Sequence, residues 1–320
     1  MSHSAALHVV LGAGQIGTHL AERLLARGFR VRQVRRSRQG GREVGGVEQR
    51  VGDLSDVGFA AEAVRGAQVA YDCTVPPYDQ WPQHLLPLGA SIVEACAREG
   101  VALVAFDNLY VYGVPKGPMT EQSPVQPCSK KGELRAKLAA LRLAAHEQGR
   151  ARVAIGRASD LYGPGVTLAA IFNERFYQRL LADETVDVLG DPERLHSYSY
   201  ALDVADALVT LGTHDVAFGS VWHLPVQPPT STRTLIEALA QEAGVRGAVR
   251  QTPRWLLKTL GVFMPILREL AEMEYQWRSD FVLDDARFRT TFGGGATATR
   301  DAVRDTIAWA RRRFGVVASR

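Results

Sequence analysis

The sequence predicts an α/β protein, a doubly wound parallel sheet with a smaller C-terminal α/β substrate region. Three observations lead there. Short apolar runs of strand length alternate with helix-length stretches of 3.6-residue periodicity over the first half of the chain. The turns between them carry Gly or Pro. The first of these junctions, Leu-His-Val-Val-Leu-Gly-Ala-Gly-Gln-Ile-Gly at residues 7–17, runs a strand directly into a Gly-x-Gly-x-x-Gly turn.

That turn fits a phosphate cradle. Gly12 takes the tight bend, Gly14 lets the backbone approach a pyrophosphate, and Gly17 allows the helix to sit close to the strand. Gln15 and Ile16 open the helix, whose N-terminus faces the anion. Leu20, Leu24 and Leu25 continue its apolar face, Gly28 closes it, and Phe29 to Val34 supplies a second strand. The strand-helix-strand unit so formed is the Rossmann arrangement, and it assigns dinucleotide binding to Gly12, Gly14, Gln15, Ile16 and Gly17. Arg35 and Arg36 follow the second strand, where a carboxylate would otherwise hold the adenosine ribose hydroxyls of NAD. Guanidinium groups match a 2′-phosphate, so the expected cofactor is NADP(H) in preference to NAD(H). The alternative is a solvated basic loop formed by Arg27, Arg30, Arg32, Arg35, Arg36, Arg38 and Arg42. Asp53 and Leu54, after the strand ending at Gly52, are placed beside the adenine. Asp53 alternatively caps the helix that begins near Ser55.

Strands are expected near 68–75, 101–106 and 152–157, with helices over 83–99 and 130–148 between them. From Gly163 the pattern becomes irregular. A helix is expected over 168–182, a strand at 186–189, and a helix from 202. A Pro-rich turn follows at Pro225, Pro228 and Pro229, then helices over 235–243 and 299–314. This divides the chain into a dinucleotide-binding domain at 1–162 and a substrate-binding region at 163–320, with elements of the second returning to the sheet.

Composition narrows the class. The chain has 320 residues, 46% hydrophobic and 22% charged, with a net charge of +4, which is ordinary globular usage and gives no reason to expect nucleic acid as a partner. No apolar run reaches the ~18 residues of a membrane span. No secretory leader is evident at the start of the chain. Cys73, Cys96 and Cys128 are too few and too scattered for a disulfide framework or a metal site, so the expected compartment is the cytoplasm.

Further along stand Gly52-Asp53-Leu54, Val111-Tyr112-Gly113, Arg157 followed by Leu161-Tyr162-Gly163-Pro164, and Tyr198-Ser199-Tyr200-Ala201-Leu202-Asp203-Val204-Ala205. With the glycine fingerprint, their order and spacing resemble the extended short-chain dehydrogenase/reductase family, the NAD-dependent epimerase/dehydratase group, over nearly the whole chain. The resemblance implies an oxidoreductase or epimerase with its site in the crevice between the two regions. It also implies a homodimer through helices 83–99 and 130–148.

The chain departs from that family at three positions. Counting back four residues from Tyr112, the family's Ser or Thr is Asn108. The family's catalytic Tyr-x-x-x-Lys falls on Cys128 and Gly132, with Lys131 one residue out of register, a rotation of about 100° on a helix. A thiol has an ordinary pKa near 8.5 and can in principle move a proton, yet Cys128 is shorter than a phenol, and a small helix-start residue is the plainer reading. Asn108 can orient a carbonyl without moving a proton. Tyr110, near Asn108, is therefore expected as the proton donor in preference to Tyr112 and Cys128. Lys116, Lys130, Tyr162, His196, Tyr198 and Tyr200 are the other groups expected near the crevice. His196 stands where an arginine of nucleotide-sugar enzymes clasps the diphosphate, which favours a small substrate of another class. The apolar stretch 255–267 is expected to be buried against the sheet, with a pocket wall or a membrane surface as alternatives. Three readings stay open: an enzyme with an altered proton relay, a non-catalytic cofactor-binding sensor or regulator, and a scaffold.

Overall fold

The computed structural model describes residues 5–37, 43–253 and 265–315, with backbone only over 265–268. Its strands are β1 Leu7–Leu11, β2 Arg30–Arg35, β3 Glu48–Val51, β4 Val69–Asp72, β5 Ala102–Asp107, β6 Val153–Arg157, β7 Asp160–Tyr162, β8 Val186–Val188, β9 Leu195–His196, β10 Tyr198–Tyr200, β11 Val221–His223, β12 Thr230–Ser231 and β13 Val249–Gln251. The helices are α1 Gln15–Ala26, α2 Val57–Val64, α3 Trp81–Glu99, α4 Lys130–Glu147, α5 Glu174–Leu181, α6 Ala201–Thr213, α7 Thr232–Ala243, α8 Pro265–Met273, α9 Ala286–Phe292 and α10 Thr299–Phe314.

Seven strands form one parallel sheet in the order β11-β6-β5-β4-β1-β2-β3. Every residue of β1, β4 and β6 is buried, as expected of parallel strands covered on both faces. Ile16, Leu20 and Leu24 of α1 and Val204, Leu208 and Leu211 of α6 cover one face. On the other lie Ala60 and Val64 of α2, Ile92 and Cys96 of α3, and Ala139 of α4. The strand order reverses beside β1, so the crevice at the carboxyl ends of β1 and β4 is the switch point where such sheets bind ligands. A separate aromatic-rich core, with Phe172, Phe176, Tyr177, Ile236, Trp277 and Ile307, sits above that edge and reaches Trp81 and Tyr110.

The helices start where their caps allow. Asp56 caps α2, accepting from Gly58 N and Phe59 N, while Ser129 caps α4 through Gly132 N. The helix expected over 168–182 is limited to α5, because Asn173 accepts from Phe176 N and fixes a later start. Val221–His223 returns from the C-terminal half to pair with β6. Of the apolar stretch 255–267, residues 255–264 lie outside the described residues, and Pro265 opens α8. Among the described residues no helix is long and apolar enough to cross a membrane.

Candidate functional site

The carboxyl ends of β1, β4, β5 and β6 converge on one crevice, and the glycine turn forms its floor. Gly12 has φ +107°, and a Cβ there would stand 3.0 Å from the Cys73 carbonyl oxygen of the neighbouring strand end. A Cβ on Gly17 would stand 2.1 Å from Gly12 O, so only glycine lets α1 lie so close to β1. A Cβ on Gly14 would meet nothing within 4 Å, and the backbone there is exposed. No side chain caps the N-terminus of α1 and no acidic residue occupies its first turn. Helix N–H groups facing open space, with the positive end of the helix dipole behind them, fit a pyrophosphate. Ile16 packs in the core, and Gln15 Oε1 accepts from Thr167 N at 3.3 Å and Leu168 N at 3.2 Å, tying the helix start to the loop after Gly163.

Asp53 is exposed and accepts from Ser55 N at 2.9 Å; the cap of α2 is Asp56. Leu54 is buried and its carbonyl accepts from Ser91 Oγ at 2.6 Å. Arg35, the last residue of β2, is 6% exposed and turns toward Glu43, with Nη1 to Oε1 at 3.8 Å. Arg36 is exposed, and Arg38 and Arg42 lie outside the described residues. The remaining arginines disperse: Arg27 pairs with Asp206, and Arg32 with Glu48.

The chain after β5 holds the candidate proton donor. Asn108 Oδ1 accepts from Tyr110 N at 3.2 Å, an Asx-type contact that fixes the 3₁₀ turn Tyr110–Tyr112. Tyr110 is buried, and its hydroxyl is 2.7 Å from that of Tyr78. Burial, with the neighbouring Tyr78 hydroxyl and Asp160 carboxylate, holds the Tyr110 phenol well above its ordinary range. Tyr112 is also buried, accepting from Arg157 Nη1 at 2.8 Å and lying 2.7 Å from His223 Nε2.

The helix start after Ser129 looks different from that of an ordinary Tyr-x-x-x-Lys site. Cys128 is exposed, with its thiol pushed up by partial desolvation. Gly132 has no room for a side chain, since a Cβ would stand 2.6 Å from Tyr110 O. Lys131 is turned inward at 3% exposure, bound to Glu269 and, at 2.7 Å, to Glu272, with its ammonium 5.2 Å from the Tyr78 ring centroid. Lys116 and Lys130 are exposed.

Further polar and aromatic residues lie around the crevice. Asp72 Oδ1 accepts from Thr74 N at 3.0 Å and Thr74 Oγ1 at 2.6 Å, while Oδ2 pairs with buried Arg142 from α4. His196 Nε2 is 3.1 Å from Asp160 Oδ2, which also accepts from Trp277 Nε1 at 2.9 Å. Tyr198 Oη lies 2.6 Å from Thr232 Oγ1, while the Tyr162 and Tyr200 rings pack at a tilt of 48° in the aromatic core.

Comparison with known proteins agrees with this architecture. Solved structures of the same fold include the dTDP-glucose 4,6-dehydratase of Bacillus anthracis in complex with NAD. It is 15% identical, with TM-score 0.80, and the match covers 97% of each chain. The UDP-glucuronic acid 4-epimerase of Bacillus cereus, in complex with UDP-glucuronic acid and NAD, is 16% identical with TM-score 0.78, over 96% of this chain and 99% of that one. The enzyme WbmH of Bordetella bronchiseptica, in complex with NAD+, is 18% identical with TM-score 0.73, over 98% of this chain and 100% of that one. No curated protein matches the sequence. These complexes contain NAD, which overturns the expected preference for NADP(H). Arg35, half of the expected 2′-phosphate clamp, is buried at the end of β2, with Glu43 3.8 Å from its Nη1, and so is not presented as an exposed guanidinium. The family model for NAD dependent epimerase/dehydratases matches residues 8–222, well over half of the sequence, and the chain belongs to that family.

Proposed function

We propose that the chain is a cytoplasmic, NAD(H)-dependent oxidoreductase or epimerase that acts on a small molecule other than a nucleotide sugar. The observation that carries this reading is the open, uncapped N-terminus of α1 at Gly14, framed by Gly12 and Gly17. In this reading Gly12, Gly14, Gln15, Ile16 and Gly17 hold the pyrophosphate, and Asp53 and Leu54 flank the adenine. The bound nicotinamide would supply or accept a hydride. Tyr110 is the proton donor to the substrate oxygen. Asn108 holds its backbone, and Tyr78, with its hydroxyl 2.7 Å away, hands on the proton. Burial keeps the Tyr110 phenol protonated and makes it a weaker acid than a free phenol. The three free cysteines support a reducing compartment. The family resemblance adds a homodimer through α3 and α4.

A second reading, a non-catalytic cofactor-binding sensor or regulator, is favoured by one observation. Gly132 is closed by Tyr110 O, so the family lysine position has no side chain and no space for one.

Fluorescence titration tests the shared part: NADH binds, at least as tightly as NADPH. An NADH oxidation screen against aldehydes and ketones then separates the two readings. Turnover is expected to fall about 10²-fold or more in Tyr110→Phe, the loss typical of a missing general acid. Cys128→Ser is expected to stay within a few-fold of the parent. Turnover that survives Tyr110→Phe and dies in Cys128→Ser assigns the chemistry to the thiol.

A further inference from the structure

Above the ends of β5 and β6 stands a carboxylate to which the proton relay assigns no task. Asp160 opens β7, shortly after Arg157 ends β6. Trp277 Nε1 donates to its Oδ2 at 2.9 Å, and His196 Nε2 faces the same oxygen at 3.1 Å. Oδ1 takes no partner among the described residues, and the side chain keeps 19% of its surface exposed. One oxygen is thus fixed while the other is open.

The surroundings are aromatic. The Tyr198 ring lies 4.6 Å from that of His196, and His196 in turn lies 6.3 Å from Trp277. Asp160 is close enough to the hydroxyls of Tyr78, Tyr110 and Tyr198 that its charge opposes their ionisation. His196 is 2% exposed; neither ring nitrogen makes a hydrogen bond among the described residues, and Nε2 approaches Asp160 Oδ2 at 3.1 Å. The cations nearby are held by carboxylates, and Arg135 shares Asp107 with Arg157. Lys131 is held by Glu269 and Glu272, and Arg135 reaches Asp107 Oδ1 at 3.4 Å while lying 4.5 Å over the Trp81 ring. A phosphate entering here would meet the carboxylate of Asp160.

We infer that Asp160 is the specificity-determining residue of the substrate crevice and takes the ammonium group of an amine-bearing substrate through Oδ1. A carboxylate already oriented by Trp277 and His196 loses little freedom on binding, and a charge-assisted hydrogen bond is about twice as strong as a neutral one. The inference rests on the reading above, which places the substrate in this crevice next to Tyr110.

Benzylamine, benzyl alcohol and benzyl phosphate share a ring and differ in charge. Each is titrated into the full chain with and without saturating NADH, followed by calorimetry and tryptophan fluorescence. Benzylamine is expected to bind at least tenfold more tightly than benzyl alcohol, and benzyl phosphate more weakly than either. Asp160→Asn is expected to erase the tenfold preference while the affinity for NADH stays within twofold. A preference for benzylamine that survives Asp160→Asn, or benzyl phosphate binding as tightly as benzylamine, overturns the assignment. Should Asp160→Asn not fold, the parent chain still decides, because benzylamine binding no better than benzyl alcohol overturns it alone. Failure to bind NADH with selective amine binding intact removes the cofactor reading and leaves the carboxylate's role standing.

Discussion

Gly14 and Gly132 both border the crevice, and they are glycines for opposite reasons. Around Gly14 there is only open space, so a side chain there would harm nothing in the fold and would occupy the place of an anion. Gly14→Val is therefore expected to leave the unfolding midpoint nearly unchanged and to abolish NADH binding, as measured by fluorescence titration. Gly132 is packed under the Tyr110 carbonyl at 2.6 Å and against Pro127 at 2.9 Å, so even a methyl group must displace backbone. The same packing explains why Lys131, next along the helix, cannot serve as the family lysine. Its side chain leaves in another direction and is committed to two carboxylates of α8. Arg35 makes a similar point at the end of β2, where residue type suggested a phosphate clamp and the side chain is buried beside Glu43.

At the scale of elements, α4 ties the sheet to the crevice. Arg142 pairs with Asp72 at the end of β4, and Arg135 reaches Asp107 at the end of β5, so one helix face fixes two strand ends. The partner helix α3 packs along it through Gly89, where a Cβ would stand 2.2 Å from Leu138 Cδ1. Outward of this contact, Leu86, Leu134 and Leu141 are half-buried, and exposed Ala140 leaves room for a close approach. Sedimentation equilibrium is expected to show a dimer that Ala140→Glu shifts to monomer, since a buried unpaired carboxylate at a helix contact is costly. A parent chain that sediments as a monomer removes the four-helix interface.

For the molecule as a whole, acid sensitivity follows from a histidine inside the sheet. His8 in β1 is 1% exposed, contacts Tyr71 Oη at 2.9 Å, and has its pKa lowered by burial from 6.5 to about 4. Between those values the unfolded chain binds a proton that the folded chain refuses. The stability from keeping His8 neutral is thus complete above about pH 6.5 and lost as pH falls toward 4. Urea unfolding at pH 7 and pH 5 is expected to show a loss on the order of 1 to 2 kcal/mol from this group. His8→Gln should remove that increment and leave the carboxylate contribution. Equal pH slopes in parent and variant would show that His8 titrates alike in both states.

The sheet and the glycine turn at the start of α1 were legible in the sequence because both depend on local properties. Strands buried on both faces must be apolar throughout, as β1 and β4 are, and a turn that brings α1 against β1 requires glycine at Gly12 and Gly17 whatever surrounds it. Asn108 and Tyr110 could be nominated from their distance to Tyr112 alone. What the sequence could not contain is the meeting of distant side chains. Tyr78 faces Tyr110 only because β4 and β5 lie side by side, and Asp160 faces His196 and Trp277 only because β7, β9 and the turn after α8 converge above the sheet. β11, three residues long, carried too short a pattern to reveal its return to β6. Periodicity and backbone geometry act over a few residues and so determined the fold class and the glycine turn. The direction in which Arg35, Lys131 and Asp160 point depends on charges and rings from remote segments, and only the tertiary structure decided it.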